Sequence, residues 1–179
     1  SEPSLEPIVK EYTDDRIIFI IHPVNKGASA AHNTGIKAAK YDWIAFICHD
    51  DEWLPNKLEV CVPYIENNYP QYKFFFHHIE VIGDKKYILP FKNINPKVGN
   101  YYKKFLSNWN EEIQTSAIIV NKECFDNCGC YDNDFKNVFD WELYIRIAEK
   151  YDFYFIPDKL SKYYYSEIGI THFTNPRNI

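Results

Sequence analysis

Apolar residues gather in short runs along the chain, and the period of the pattern changes from run to run. In LEPIVKEY (5–12), Leu5, Ile8, Val9 and Tyr12 fall on one face of a short helix. IIFIIH (17–22) is a continuous Ile-rich run, the pattern of a strand buried on both faces. SAAHNTGIKAAK (29–40) is Ala-rich and predicts a helix with Ser29 at its N-cap. WIAFICH (43–49) predicts a second buried strand, which ends at the acidic pair Asp50 and Asp51. NKLEVCVPYIENN (56–68) predicts a third helix, kinked or cut short at Pro63.

The second half continues the alternation. KFFFHHIEVIG (73–83) and KYILP (86–90) suit a hairpin around Gly83-Asp84. VGNYYKKFLSNW (98–109) predicts a helix, SAIIV (116–120) a strand, and NKECFDNCG (121–129) a helix closed by Gly129 at its C-cap. WELYIRIAEKY (141–151) is an amphipathic helix, and DFYFIP (152–157) a strand after it. Strands alternating with helices in this order predict an α/β domain with a parallel sheet.

Composition narrows the class. With 179 residues the chain fits one domain, and 46% hydrophobic content is enough for a real core. No stretch is long and apolar enough to span a bilayer. The opening SEPSLEPIVKEY lacks the apolar core of a signal peptide, so a cytoplasmic protein is expected. The net charge of −5, with scattered basic residues, argues against a nucleic-acid surface, which needs a cationic stripe. Five cysteines at irregular spacing argue against a disulfide framework. The cluster Cys124, Cys128 and Cys130 does not have the spacing of a zinc site.

Two acidic sites carry candidate chemistry. In an open α/β sheet ligands bind outside the carboxyl ends of strands, where FICHDDEW puts Asp50 and Asp51. Adjacent carboxylates are costly to hold together unless a cation neutralises them. A hard divalent ion shared with substrate phosphates is one occupant; a plain turn or helix cap is the alternative. In VFDWELYIR (138–146), Asp140 precedes the amphipathic helix. It is either an ordinary N-cap or a general base held at a rigid helix start.

Order and spacing over nearly the whole chain bear on these alternatives. VNKGASAAHNTGIKAAKYDWIAFICHDDEWLPNKLE resembles a stretch of the inverting glycosyltransferase family 2, which has the GT-A fold. QTSAIIVNKECFDNCGCYDNDFKNVFDWELYIRIAEKYDFYFIP is similar to that family's acceptor-side half. The resemblance runs from about Ser1 to Thr171. It implies a single GT-A-like domain over 1–179, a Rossmann-like mixed sheet flanked by helices, with a nucleotide-sugar and metal half over about 1–70 and an acceptor half over about 71–179. It implies that Asp50 holds a divalent metal, Mn²⁺ or Mg²⁺, bridging the donor diphosphate, with Asp51 in support. Asp140 becomes the catalytic base. Gly27 and Asn33 shape the loop and helix beside the nucleotide, and Gln114, Thr115 and Ser116 line the donor–acceptor cleft.

The implied partners are a nucleotide-diphospho-sugar donor and a saccharide or lipid-linked acceptor, with peripheral association at the inner face of a membrane. The implied reaction is direct transfer with inversion at the anomeric carbon. The sequence departs from the family pattern at several points. Cys48 stands where the metal motif begins with Asp, His32 replaces an Arg before Asn33, and Phe139 replaces a Glu before the base. The family's opening strands and their base-reading acidic residue have no counterpart, so a longer native protein or a covering segment is expected. These departures leave a non-catalytic module that binds a sugar nucleotide or a partner protein as the alternative. A metal-dependent nucleotidyltransferase is less well matched, because no Gly-rich basic loop is present.

Overall fold

The computed structural model of the protein describes residues 5–83, 98–107, 113–135 and 138–164. In chain order the elements are helix α1 (Glu6–Val9), helix α2 (Gly27–Ala38), strands β1 (Trp43–Ala45) and β2 (Asp51–Trp53), helix α3 (Lys57–Asn68), strand β3 (Phe74–Ile82), helix α4 (Tyr102–Ser107), a 3₁₀ turn (Thr115–Ala117), strand β4 (Ile118–Asn121), helices α5 (Lys122–Cys128) and α6 (Phe139–Lys150), and strand β5 (Phe153–Tyr164).

The strands form one five-stranded sheet in the order β1-β4-β3-β5-β2. Among the described residues only β3 and β5 run parallel, with Phe74 opposite Phe153; β1–β4, β3–β4 and β2–β5 are antiparallel. The expected parallel sheet is therefore mixed. The helices between β3 and β5 supply the crossover that parallel pairing needs, whereas β4 enters through the 3₁₀ turn and lies antiparallel between β1 and β3.

Both faces of the sheet are covered, and successive side chains divide between them. Phe74, Phe76, Ile118, Val120 and Phe153 pack with Ile36 of α2, Phe105 of α4, Phe125 of α5 and Leu143, Tyr144 and Ile147 of α6. Phe75, Ile119, Ile156 and Leu160 pack on the other face against Cys61 and Ile65 of α3. Helix α6 buries Leu143, Tyr144, Ile147 and Ala148, the stripe its periodicity predicts. Strand β5 outruns its expected end because Pro157 and Asp158 form a bulge: His77 pairs Ile156, and His78 pairs Lys159. The bulge lets the second half of β5 continue to β2, where Asp51 pairs Tyr163.

Other expectations change as well. The run 17–22 forms no strand: among the described residues nothing pairs with it, and Ile17 to Ile21 are 41–56% exposed. It borders, with α2 and Tyr41, an apolar cavity of about 1030 Å³. Pro63 neither breaks nor shortens α3; it lies on the exposed side, where the carbonyl it frees is open to solvent. Helix α1 is a single turn rather than two. The expected helix over 98–109 narrows to Tyr102–Ser107, and residue 86–90 of the expected hairpin lie outside the described residues.

Candidate active site

The turn after β1 carries the first acidic site. Trp53 anchors it, donating from Nε1 to the Phe46 carbonyl at 3.1 Å. The Cys48 amide donates to Ser116 Oγ at 2.9 Å, and Ser116 Oγ donates in turn to Asp51 Oδ2. Asp51 is the first residue of β2, so it caps no helix; Asp50 sits in the turn, with an oxygen 3.7 Å from His49 Nδ1. The other Asp51 oxygen, Oδ1, is buried and makes no well-formed hydrogen bond, with the Tyr164 amide the backbone group nearest the carboxylate. Burial raises the Asp51 pKa, the Ser116 hydroxyl opposes the shift, and Asp50 adds to it.

One ligand atom each from Cys48, Asp50 and Asp51 lies within 4.8 Å of the others. The donor set suits a hard divalent cation through its two carboxylates. An orphaned buried carboxylate oxygen is the atom such an ion would satisfy. Cys48 suits it poorly: burial, joined by the charges of Asp51, Asp50 and Asp140, pushes the thiol up to about 11, so it stays protonated.

The second acidic site starts α6. Asp140 is the second residue of that helix, not its cap, and its Oδ1 accepts the Trp141 amide at 2.8 Å. The N-cap is Val138, held at φ 55°. A β-branched side chain there is strained. Burial raises the Asp140 pKa against the opposing Trp141 amide bond, the environment that brings a carboxylate toward general-base strength. Beside it, the hydroxyls of Tyr131 and Tyr144 are buried next to one another, with Thr115 beside Tyr144. Burial holds both phenols protonated, well above their usual range, with the Asp140 charge adding to the shift.

The turn before α6 is built by Asn33 and Arg146. Asn33, in the buried stripe Ser29, Asn33, Ile36 of α2, donates to the Tyr131 carbonyl at 2.7 Å and accepts the Tyr131 amide at 2.9 Å. Arg146 pairs with Glu142 at 2.5 and 2.7 Å and donates to the carbonyls of Cys128 and Cys130. Gly129, at φ 82°, passes close under that guanidinium. Gly27 starts α2 at φ 84° and donates its amide to Asn25 Oδ1 at 2.9 Å. It borders the apolar cavity, which Asp50, Asp51 and Asp140 do not line.

Thr115 and Ser116 are buried in the 3₁₀ turn, and Gln114 precedes it. His32 packs on Phe46, Tyr131 and Phe139 with ring centroids 5.6, 5.2 and 5.9 Å away. Burial lowers its pKa, which keeps it neutral near pH 7. Two departures from the family pattern, His32 and Phe139, therefore meet in one aromatic contact.

The sequence reading passed over Lys57, Tyr131 and Tyr144. Lys57 had a visible signal. It opens the buried stripe Lys57, Cys61, Ile65 of α3, and a lysine on an apolar stripe is rare without a partner.

The sequence model of the family described as Glycosyl transferase family 2 matches residues 1–129. The chain belongs to glycosyltransferase family 2. An uncharacterized glycosyltransferase of Methanocaldococcus jannaschii is 31% identical over 163 residues, covering 88% of this chain and 54% of that protein. The colanic acid biosynthesis glycosyl transferase WcaA of Escherichia coli, itself a putative assignment, is 26% identical over 82% of this chain and 51% of its own length. An Escherichia coli UDP-Glc:α-D-GlcNAc-diphosphoundecaprenol β-1,3-glucosyltransferase, WfgD, is 34% identical over 47% of this chain and 34% of its length. The chain thus spans about half the length, or less, of these curated relatives. Staphylococcus aureus TarS, solved with UDP-GlcNAc, superposes with a TM-score of 0.71 at 11% identity, over 94% of this chain and 48% of that one. The fold is therefore GT-A-like. Among the described residues no helix is long and apolar enough to cross a membrane.

Proposed function

We propose that this glycosyltransferase family 2 chain moves a sugar from a nucleotide-diphospho-sugar to an acceptor hydroxyl with inversion, using Asp140 as base and Asp50 with Asp51 as the seat of a divalent cation. The observation that carries the reading is Cys48: its thiol feels the charges of Asp50, Asp51 and Asp140 together. Two carboxylate sites far apart in sequence therefore lie near one thiol, linked by the ring contacts of Tyr131 with Phe46 and with Phe139, and a reaction joining a diphosphate leaving group to an incoming hydroxyl needs both.

Asp140 takes the acceptor proton as its oxygen attacks the anomeric carbon. Burial raises the pKa of its carboxyl, the direction that strengthens it as a base. Inversion follows from one displacement, with the base on the face opposite the leaving group. Asp50 and Asp51 would hold Mn²⁺ or Mg²⁺, which supplies Lewis-acid stabilisation of the departing diphosphate. Gln114, Thr115 and Ser116 border the cleft and keep Asp51 in place through the Ser116 hydroxyl. Alignment in such a cleft can contribute about 7–11 kcal/mol toward the barrier. UDP-GlcNAc in the solved TarS complex supports a nucleotide-diphospho-sugar donor. The diphosphoundecaprenol named for WfgD supports a lipid-linked saccharide acceptor, met at a membrane surface.

A panel of UDP-, GDP- and dTDP-sugars, titrated by calorimetry with and without Mn²⁺, tests the donor side. Metal-dependent binding lost in Asp50→Ala is the expected result; unchanged affinity in that variant removes the cation from Asp50. A second reading, a binding module without turnover, is favoured by the His32–Phe139 contact, which leaves no charge at two positions where the family pattern has Arg and Glu. Donor binding with no transfer to any lipid-linked acceptor would select it.

A further inference from the structure

Lys57 is 1% exposed and is the first residue of α3. Both facts count against a cation. Burial penalises the charge, and the amide ends of a helix N-terminus repel it. Burial accordingly draws its pKa down to about 7, with Cys61 and Asp51 opposing the shift. Three contacts offset the cost. Its Nζ donates to the Ser116 carbonyl at 2.8 Å, lies 4.1 Å from the centroid of the Trp53 ring, and feels the Asp51 charge.

The Ser116 carbonyl is a convergence point. It accepts from Lys57 and also from Ser161 Oγ at 2.9 Å, and His77 Nε2 lies 3.5 Å behind that serine. The hydroxyl of the same Ser116 bonds the Cys48 amide and the Asp51 carboxylate. One residue therefore ties a buried cation on α3 to the acidic turn on the far side of the 3₁₀ element. Trp53, under the ammonium, is bonded to the Phe46 carbonyl at the start of that turn.

We propose that Lys57 is a positioning residue of the acidic site: its buried amino group pins the Ser116 carbonyl, and the Ser116 hydroxyl then fixes the Cys48 amide and the Asp51 carboxylate for the cation and the donor diphosphate. The inference rests on the reading of Asp50 and Asp51 given above for the cation, but its geometric part does not. Groups that orient metal ligands from behind commonly change metal affinity 10–100-fold when removed.

Lys57→Met separates the possibilities, because it keeps the volume while removing the charge. Replacing a buried ion by an apolar residue of like size is often neutral or stabilising, so the melting temperature should hold or rise. Three readouts are compared with the parent: the melting temperature, Mn²⁺ affinity by calorimetry, and the iodoacetamide labelling rate of Cys48 by peptide mass spectrometry. Cys128, equally half-buried but at the far end of α5, is the internal reference.

The expected result is Mn²⁺ affinity lowered about 10-fold and Cys48 labelled several-fold faster, with Cys128 unchanged. Ser116→Ala should do the same, and the double variant should go no further than Ser116→Ala alone. Tighter Mn²⁺ binding in Lys57→Met would overturn the proposal, since removing a nearby positive charge then matters more than holding the ligands. A lower melting temperature with both Mn²⁺ affinity and Cys48 labelling unchanged would also overturn it, leaving a purely structural lysine. If the parent binds no Mn²⁺ while Cys48 labelling still rises in the variant, the positioning of the turn stands and the cation reading fails.

Discussion

Asp140→Asn is the substitution on which the catalytic reading turns. The side chain keeps its shape, and its Oδ1 can still accept the Trp141 amide, the 2.8 Å bond of the parent. The helix cap is not at stake, because Val138 occupies it. Asn gives up a carboxylate in the first turn of α6, worth about 0.3–1 kcal/mol toward the helix dipole. It also removes a charge that burial disfavours, an effect of opposite sign. The two nearly offset, so the stability change near pH 7 should stay within about 1 kcal/mol. Its pH dependence has a fixed sign. A carboxyl whose folded pKa is raised gives stability that is complete below its unfolded value, 3.8, and lost as pH rises through the folded value. The variant should therefore gain on the parent as pH rises from 3.8 toward neutrality. Transfer should fall about 10²–10⁴-fold, the worth of a positioned base, which is about 2.7–5.4 kcal/mol at 1.36 kcal/mol per decade. The assay follows radiolabelled sugar transfer over pH 4–9, beside thermal melts and donor-binding calorimetry. The parent should show an acid limb above the ordinary carboxylate range, and the variant's residual rate should lack it. Donor binding should survive. Full transfer in Asp140→Asn would refute the base assignment.

Cys48→Asp adds a third carboxylate to the turn; it should lower the metal-free melting temperature through like-charge repulsion and raise Mn²⁺ affinity several-fold by calorimetry. Weaker Mn²⁺ binding would mean that the thiol is a ligand and that a softer metal belongs there. Val138→Gly should raise stability slightly in a denaturant melt. Relief of the left-handed backbone, about 1–2 kcal/mol, exceeds the entropy cost of glycine, about 0.5–1 kcal/mol. A clear loss of stability would show that the N-cap of α6 is not strained.

Helices α2, α3 and α6 were legible because each buries one stripe at helical spacing. Leu143, Tyr144, Ile147 and Ala148 give α6, and Gly129 with φ 82° ends α5 where the sequence puts a C-cap. Strand identity was harder to read than helix identity. An Ile-rich run such as 17–22 carries the chemistry of a central strand, but strand formation needs a neighbour's backbone, and periodicity cannot supply one. Direction was also hidden. Phe74–Phe76 and Ile118–Val120 read alike whether they lie parallel or antiparallel, and the connection decides. The extension of β5 past Pro157 was missed for a related reason: proline argues against a strand unless a bulge absorbs it, and the bulge is a property of the pairing with β3.

At the site, the groups that a local string can announce were legible, while those that act across the fold were not. Asp50 and Asp51 announce themselves as neighbours after an apolar run, and Asp140 as an acid at a helix start. Three dimensions remove the helix-cap alternative for Asp51 and Asp140, while Asp50 does sit in a turn. Asp51 lies in a strand opposite Tyr163, and Val138 takes the cap that Asp140 could have filled. Ser116 enters the sequence reading as a cleft residue through the family resemblance alone, and no local string shows that its two oxygens join α3, the acidic turn and β5. Lys57 is the intermediate case. Its place at the head of the stripe Lys57, Cys61, Ile65 reveals a buried charge, and a buried charge demands a partner. The sequence therefore poses the question of what Lys57 holds, and only the fold answers it, with a carbonyl 59 positions along the chain. The same logic explains Asn33. Its amide is spent on the Tyr131 backbone, 98 positions away, so a residue the family pattern sets beside the nucleotide acts on the turn that presents Asp140.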